Sequence, residues 1–320
     1  MINTYKPEGL LLGTQRNREL IFAGRAGLEK AMQEGIILES TAILCDSELN
    51  LRVDLRGITG IIPKNEVCLV RDGESFKDIA VITRVGKPVC FKVVSLEEEN
   101  GRTVAYLSRR LAQIDCMNNY VADLIPGDVI CSRVTHLESF GAFVDIGCGI
   151  ISLLSVDCIS VSRFSHPKDR LYNGMIINTV LKSIDRDKGR IFVSMRELLG
   201  TWEENAALFS PGQTVAGIIR SVESYGVFVE LTPNLAGLAE LRDDRHPFDL
   251  QCGSLAAVYI KNIIPEPMKI KLVLIDSYKE DHTASELKYF VNCDLVRHIE
   301  YWRYSPPSCI KTVETIFGNE

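Results

Sequence analysis

The chain has 320 residues, of which 46% are hydrophobic and 24% are charged, and its formal net charge is -6. This length suits two or three domains, and the composition is ordinary for a globular protein. The negative charge argues against a nucleic-acid-binding protein with a uniformly basic surface, because basic side chains supply most nonspecific affinity. The longest apolar runs, such as 255–264, are broken by polar residues well before the ~20 residues of a membrane span. The amino terminus lacks the layout of a secretory signal, so we expect a cytoplasmic chain without membrane contact.

Residues 1–33 are predicted to be a helical extension. Apolar residues recur at helical spacing between residues 15 and 34, and Gly35 ends the run. We expect this helix to pack on the segment that follows it.

Residues 34–111 contain three apolar blocks that return, in the same order, in two later segments. The blocks are Gly35–Leu38, Val53–Pro63 and Gly101–Arg109. A short helical connector is predicted at 108–124, and a second one at 196–209. Each connector is closed by a Pro-Gly break.

Residues 125–200 and 210–276 carry the complete form of this repeat. Each copy has a glycine-led strand, a Ser-aromatic-Gly-x-Phe-Val block, a second glycine-led block and a closing strand that mixes basic and apolar residues. The aromatic blocks are Ser139–Asp145 and Ser224–Glu230. Five short strands in ~70 residues, without a long helix, predict a small closed barrel for each copy. The chain is therefore a repeat protein.

Residues 277–320 are predicted to be a mixed carboxy-terminal extension docked on the third barrel. The stretch is polar as far as Glu286 and later contains the aromatic cluster Tyr301–Tyr304. This cluster has the composition of a second stacking site. Rings near a terminus, however, more often anchor a tail to the core.

The second copy resembles the S-one RNA-binding domain, a family named after ribosomal small-subunit protein one. The blocks that carry the resemblance are Phe140–Asp145, Gly149–Leu154 and Ile184–Met195. The third copy shares them, and residues 34–111 form a degenerate copy in which Leu49 and Arg52 replace the rings. The resemblance implies a mainly β fold of three tandem five-stranded OB-fold barrels joined by short helices. It also implies a short, multi-barrel relative of the bacterial ribosomal protein.

The resemblance implies an outer face on which unpaired bases stack on aromatic rings. In the second barrel this face would hold Phe140, Phe143 and His136, bordered by Arg133, Lys182 and Arg190. In the third barrel the corresponding residues are Tyr225, Phe228, Arg220, Lys261 and Lys269. A side chain at Gly141 would crowd the strand bend and cover the rings. Alternation alone leaves open that one ring, Phe143 first, belongs to the core.

The chain departs from the family where a histidine usually follows Gly-Leu-Val. Pro63, Ser152 and Glu240 take this position in the three copies. A carboxylate repels phosphate, so Glu240 predicts that the third barrel binds RNA weakly or contacts protein instead. Pro63, the missing rings and the acidic turn Glu97–Glu99 predict that residues 34–111 are a protein-docking module.

No motif in the sequence predicts catalysis, a metal or a cofactor. The ten cysteines stand singly, which favours small buried thiols over zinc or disulfides. Asp145, Asp185 and Asp187 are conceivable metal ligands of a nuclease, but acids at strand ends and turns usually face solvent. His166-Pro167 and His246-Pro247 are turn sequences, and no phosphate-cradling glycine run is present.

The sequence thus predicts a bacterial cytoplasmic protein that binds single-stranded RNA, above all messenger RNA, during translation at the small ribosomal subunit. Bases would stack on Phe140 and Phe143, with little sequence preference because every base has a ring face. The alternative is an adaptor whose barrels bind protein and tether an RNA enzyme or a transcription factor. A nuclease remains a remote third reading.

Overall fold

The computed structural model describes residues 5–70, 77–186, 188–240, 250–278 and 287–318. Within these ranges the strands form three closed barrels and one two-stranded sheet. The prediction of three tandem five-stranded barrels is therefore confirmed. Asp187 and the turn predicted at His246-Pro247 lie outside the described residues.

The three barrels share one strand order, in which the third strand pairs with the fifth and the fourth returns to the first. The first barrel contains β1 (Leu38–Cys45), β2 (Leu51–Asp54), β3 (Thr59–Ile62), β4 (Pro88–Glu99) and β5 (Arg102–Ser108). The second contains β6 (Val129–Glu138), β7 (Gly141–Asp145), β8 (Ile151–Ser155), β9 (Ile176–Asp185) and β10 (Arg190–Ser194). The third contains β11 (Thr214–Glu223), β12 (Gly226–Thr232), β13 (Leu235–Glu240), β14 (Leu255–Ile264) and β15 (Lys269–Tyr278). In each barrel the third and fifth strands run parallel.

Helices precede and connect the barrels. They are α1 (Gln15–Phe22), α2 (Arg25–Gln33), α3 (Ile79–Ile82), α4 (Arg109–Asn119), α5 (Val156–Ile159) and α6 (Trp202–Ala206). Single 3₁₀ turns occur at Lys64–Glu66, Val121–Asp123, Pro167–Asp169 and Arg196–Leu199.

The amino-terminal helix predicted between residues 15 and 34 is two helices, so that prediction is wrong in one respect. The chain turns at Gly24, which has a φ of +61° and lies between α1 and α2. Only glycine adopts such a backbone conformation without cost. A β-carbon at Gly27 would lie 1.9 Å from the carbonyl oxygen of Leu20, so the two helices pack closely. Buried residues of both helices belong to the same core cluster as the first barrel.

The described chain forms two compact units, which differ from the three barrels. The first comprises Met1–Leu124 with residues 131–133 and 145–151, and the second comprises the rest. Strands β6 and β7 of the second barrel therefore contribute residues to both units.

A buried ionic network stabilises the first unit around Glu8. The Arg109 guanidinium donates two hydrogen bonds to the Glu8 carboxylate, at 2.6 and 2.9 Å, and both side chains are almost fully buried. The Glu8 backbone N–H donates to Asp145 at 2.7 Å. The N–H groups of Gly147 and Gly149 donate to the same carboxylate at 2.8 and 3.0 Å. Burial opposes charge on Glu8, but Arg109 holds the pKa of Glu8 below its ordinary value.

The expectation that Asp145 faces solvent is wrong, because only 2% of Asp145 is exposed. Burial, reinforced by the nearby Glu8 carboxylate, raises the pKa of Asp145 to about 7. Its surroundings identify Asp145 as a structural acid of the first unit.

The raised pKa of Asp145 makes the stability of the first unit depend on pH. Between the unfolded value near 4 and the folded value of about 7, the folded chain holds a proton that the unfolded chain has released. We therefore expect the free energy of unfolding to fall as pH rises from 5 to 7, by up to about 1.4 kcal/mol per pH unit. Denaturant titrations at pH 5, 6 and 7 would show this slope, and Asp145→Asn would flatten it. An equally steep slope in the variant would assign the effect to another group.

The carboxy-terminal extension contributes to the second unit as a small sheet and as core. Strands β16 (Tyr301–Arg303) and β17 (Glu314–Ile316) pair in antiparallel fashion. Trp302 and Tyr304 are each 7% exposed and belong to the core cluster that contains the interior of the third barrel. Most of the aromatic cluster predicted at 301–304 therefore anchors the chain, and Tyr301 is its exposed member.

Candidate nucleic-acid interface

Two phenylalanines lie on the outer side of the second barrel. Ala142 and Val144 of β7 are fully buried, so the alternation of the strand turns Phe143 outward. Phe143 is half-buried, and Phe140 at the preceding turn is 52% exposed. Their ring centroids are 6.0 Å apart at an interplanar angle of 86°, the edge-to-face arrangement that aromatic pairs favour. Phe143 is therefore not a core residue.

Gly141 keeps this turn tight. A β-carbon there would lie 2.4 Å from the carbonyl oxygen of Leu154 and 2.9 Å from the Cα of Ser155. Because both neighbours are backbone atoms, they cannot move aside as a flexible side chain would. The crowding expected from the sequence is present, although the obstacle is β8 rather than the rings.

A third ring, missed by the sequence reasoning, lies on the same barrel. In β10 the side chains of Ile191 and Val193 are buried, so Arg190 and Phe192 share the outer side. Phe192 is half-buried and in register with Leu153 of β8, which in turn borders β7. The period-two alternation of β10 already contained this signal.

Exposed cations accompany these rings. Lys182 is the extra residue of a β-bulge in β9, and its Nζ lies 3.3 Å from the Cys158 Sγ. Arg190 is exposed, and among the residues that the structure describes it has no carboxylate partner. His136 is also exposed, but its Nε2 lies 2.8 Å from a carboxylate oxygen of Glu138.

Arg133 is placed differently from the other predicted residues. It belongs to the first unit, where its guanidinium donates a hydrogen bond to the carbonyl oxygen of Glu8. This contact gives Arg133 a structural role beside the buried network. The sequence offered no sign of it, because Glu8 is 125 positions away along the chain.

The third barrel presents a related outer side with a different set of aromatic and basic residues. Tyr225 is 65% exposed and lies edge-to-face with Phe228, with 6.4 Å between the ring centroids. Phe228 is in register with Leu238 of β13, which is in register with Lys271 of β15. Lys269 and Lys271 are exposed and alternate with the buried Ile270 and Leu272. Lys271 was not predicted, although the same alternation identifies it.

Arg220 does not border the aromatic side as predicted. Its side chain is 7% exposed, and its Nε lies 2.8 Å from Oε2 of the buried Glu230. Its Nη1 also lies 3.2 Å from a carboxylate oxygen of Asp169. Glu230 is shared with the buried guanidinium of Arg170. Arg220 is thus one member of an internal ion cluster and is removed from the candidate site.

The strand registers also correct the position assigned to the family histidine in the second barrel. A β-carbon at Gly226 would lie 2.7 Å from the carbonyl oxygen of Ala239, and a β-carbon at Gly141 would lie 2.4 Å from the carbonyl oxygen of Leu154. The two glycines therefore hold equivalent positions. Ser155 therefore corresponds to Glu240, and the prediction of Ser152 is wrong by three residues. Ser152 is buried and donates a hydrogen bond to the carbonyl oxygen of Ile191 at 2.9 Å. The loops before β8 and β13 differ in length, so the correspondence of Ser155 with Glu240 is hidden in the sequence.

In the first barrel the side chains at the corresponding positions are paired with carboxylates or are apolar. By register, Arg52 replaces Phe143 or Phe228, and Tyr106 replaces Phe192 or Lys271. Arg52 lies 3.0 Å from Asp46, and the Tyr106 hydroxyl donates to Glu99 at 2.8 Å. Val94 occupies the bulge that holds Lys182 in the second barrel and Lys261 in the third.

Three further observations bear on other kinds of site. In the described part of the chain, no cluster of three or more His, Cys, Asp or Glu residues is arranged to hold a metal ion. None of the helices in these ranges is long and apolar enough to cross a membrane. All ten cysteines are free; Cys131 and Cys252 are exposed, so the expectation of buried thiols holds only in part.

Known proteins resemble this chain in sequence. The family model of the S1 RNA binding domain, which is the S-one domain, matches residues 123–196. Small ribosomal subunit protein bS1 of Leuconostoc lactis is 29% identical over 69% of this chain and 52% of its own length. The bS1 homolog of Bacillus cereus is 29% identical over 76% of this chain and 64% of its own length. The bS1 homolog of Bacillus subtilis is 32% identical over 60% of this chain and 49% of its own length. The chain thus spans about half to two thirds of these curated relatives.

Proposed function

Because the chain belongs to the S1 RNA-binding domain family, we propose that it binds single-stranded RNA through the outer side of its second barrel. The observation that carries this proposal is the outward-facing, edge-to-face pair of Phe140 and Phe143 on a closed barrel. Bases stack on such rings whatever their identity, because each base has a π-face.

The other side chains of this surface extend the proposed site. Phe192 offers a third ring, while Lys182 and Arg190 supply the charges that hold phosphates. His136 serves as a polar neighbour of the rings, with Glu138 limiting its contribution as a cation. Affinity then comes from a few local contacts, which suits a chain whose net charge is -6.

The biological setting that we propose is messenger RNA binding during translation at the small ribosomal subunit, in the cytoplasm and without catalysis. It is supported by the relatives, which are named as small ribosomal subunit proteins. The third barrel would assist with Tyr225, Phe228, Lys261, Lys269 and Lys271. The first barrel would serve as a docking module for protein, because its counterparts of the RNA-binding residues are paired or apolar.

An adaptor that binds only protein is the second candidate. The paired and apolar counterparts in the first barrel favour it for that part of the chain. It has no comparable support in the second barrel, where the rings lie on the outer side.

A salt titration of the full chain with a fluorescent single-stranded RNA tests the proposal. Each phosphate contact on a single strand contributes a slope of about -0.7 to a plot of log K against log salt. Replacing Lys182 and Arg190 together by Met should therefore make the slope shallower by roughly 1.4 and weaken binding at low salt. The same RNA annealed into a duplex should bind less tightly than the single strand, because its bases are already stacked.

Arg163→Met with Lys168→Met provides the matched control, since both residues are exposed and lie between α5 and β9 in the second unit. An equal change of the salt slope in this control would show that the slope depends on the net charge of the chain rather than on Lys182 and Arg190. Absence of RNA binding by the wild-type chain would favour the adaptor.

A further inference from the structure

An exposed ion pair crosses the outer side of the third barrel. The Lys261 Nζ lies 3.1 Å from the Glu240 Oε2, and these side chains are 54% and 55% exposed. Glu240 of β13 is in register with Val273 of β15, and Val273 is in register with Tyr259 of β14. The Glu240–Lys261 pair therefore spans β15 from one neighbouring strand to the other.

The same side of β15 carries two more lysines. Lys269 and Lys271 are exposed, and neither has a carboxylate partner among the described residues. Lys271 aligns through Leu238 with the Phe228 ring. Glu240 is thus two residues along β13 from Leu238, whose row combines the Phe228 ring with the Lys271 ammonium group.

The corresponding position of the second barrel is neutral. Ser155 stands where the third barrel has Glu240. The Nζ of the bulge residue Lys182 lies 3.3 Å from the Cys158 Sγ, and Lys182 also interacts electrostatically with the Asp157 carboxylate. Both barrels therefore have a lysine at the bulge, but only the lysine of the third barrel forms an ion pair with the residue at the position of Glu240.

We infer that Glu240 is a built-in competitor for RNA phosphate, which holds Lys261 when no RNA is bound and lowers the affinity of the third barrel. A carboxylate and a phosphodiester are both anionic acceptors for an ammonium group, so one can replace the other on Lys261. An exposed pair in water is weak and easily displaced. The freed carboxylate still repels the incoming phosphate, so the barrel accepts RNA only where Lys269 and Lys271 supply the remaining attraction. This inference rests on the proposed RNA function.

The test uses the full chain carrying Phe140→Ala and Phe143→Ala, so that the contribution of the third barrel becomes visible. At about 50 mM salt, Glu240→Gln should tighten binding of a fluorescent single-stranded RNA by about three- to tenfold. When Lys261→Met is also present, Glu240→Gln should change the logarithm of the affinity by less than half as much, because Glu240 then has no ammonium group to hold. Glu203→Gln, an exposed neutralisation on α6, should leave the affinity within twofold.

The outcomes separate this inference from the proposal on which it rests. If wild-type chain binds RNA through its phenylalanines but Glu240→Gln leaves the affinity unchanged, only the competitor is overturned. Weaker binding by Glu240→Gln would overturn it too, and would make Glu240 a positioning residue for Lys261. If the wild-type chain does not bind RNA, the proposed function itself fails.

Discussion

Removal of both outward-facing phenyl rings, through Phe140→Ala and Phe143→Ala, should weaken binding of single-stranded RNA about 30-fold or more. Each stacked base contributes about 1 to 3 kcal/mol, so two lost platforms cost at least about 2 kcal/mol. Fluorescence anisotropy with a short RNA measures the loss directly. The salt slope should stay close to that of the wild type, because the variant keeps Lys182 and Arg190 as phosphate contacts.

The matched control keeps the rings and changes only their polarity. Phe140→Tyr with Phe143→Tyr should bind within about threefold of the wild type, because tyrosine also stacks. The third barrel already has Tyr225 at the position of Phe140. Both double variants should keep the far-ultraviolet circular dichroism of the wild type. A loss below threefold in the alanine variant, with the fold intact, would remove the second barrel's rings from the proposed site.

Replacement of Arg109 by Met should destabilise the first unit by about 3 to 5 kcal/mol. The substitution leaves the Glu8 carboxylate buried without its cation, and an uncompensated buried charge costs this much. Arg109 also donates a hydrogen bond at 3.0 Å to the Val67 carbonyl oxygen, which would lose its partner. Denaturant titration followed by circular dichroism should show an early transition.

The chain contains its own reference for this measurement. Its two tryptophans, Trp202 and Trp302, both belong to the second unit and are buried there. The variant should therefore show a smaller shift in tryptophan fluorescence than in circular dichroism. Arg110→Met removes the neighbouring, 39% exposed guanidinium from its pair with Glu66 and should cost about 0 to 1 kcal/mol. Equal losses in the two variants would show that burial of the Glu8–Arg109 pair is unimportant.

The sequence predicted those features that depend on local pattern. Two copies of a five-strand pattern predicted the barrels. The Ser-aromatic-Gly-x-Phe block carried the family resemblance that implied an outer face with Phe140 and Phe143. Phe192 and Lys271 were equally local, since both alternate with buried residues of a fifth strand. The aromatic block does not indicate them, because they lie on a different strand.

Two failures, at Arg220 and Asp145, share one physical cause, which is contact with residues that are not their neighbours in sequence. The residues next to Arg220 in the sequence do not indicate that it forms ion pairs with Glu230 and Asp169. The residues next to Asp145 in the sequence do not indicate that it accepts a hydrogen bond from the backbone N–H of Glu8. Ser152 was mistaken for Ser155 because loop length hides the alignment, whereas packing of a glycine against a carbonyl group fixes it.

The burial of Trp302 and Tyr304 in the core of the second unit limits how the chain can be dissected. The Tyr304 hydroxyl donates a hydrogen bond to the carbonyl oxygen of Asn234, which closes the bend between β12 and β13. A fragment cut after β15 would lose this bond and uncover apolar side chains that normally meet the two rings. Poor solubility or weak RNA binding by such a fragment would then report an opened core rather than the intrinsic capacity of the third barrel. Single-barrel comparisons must carry residues 287–318 along with 214–278.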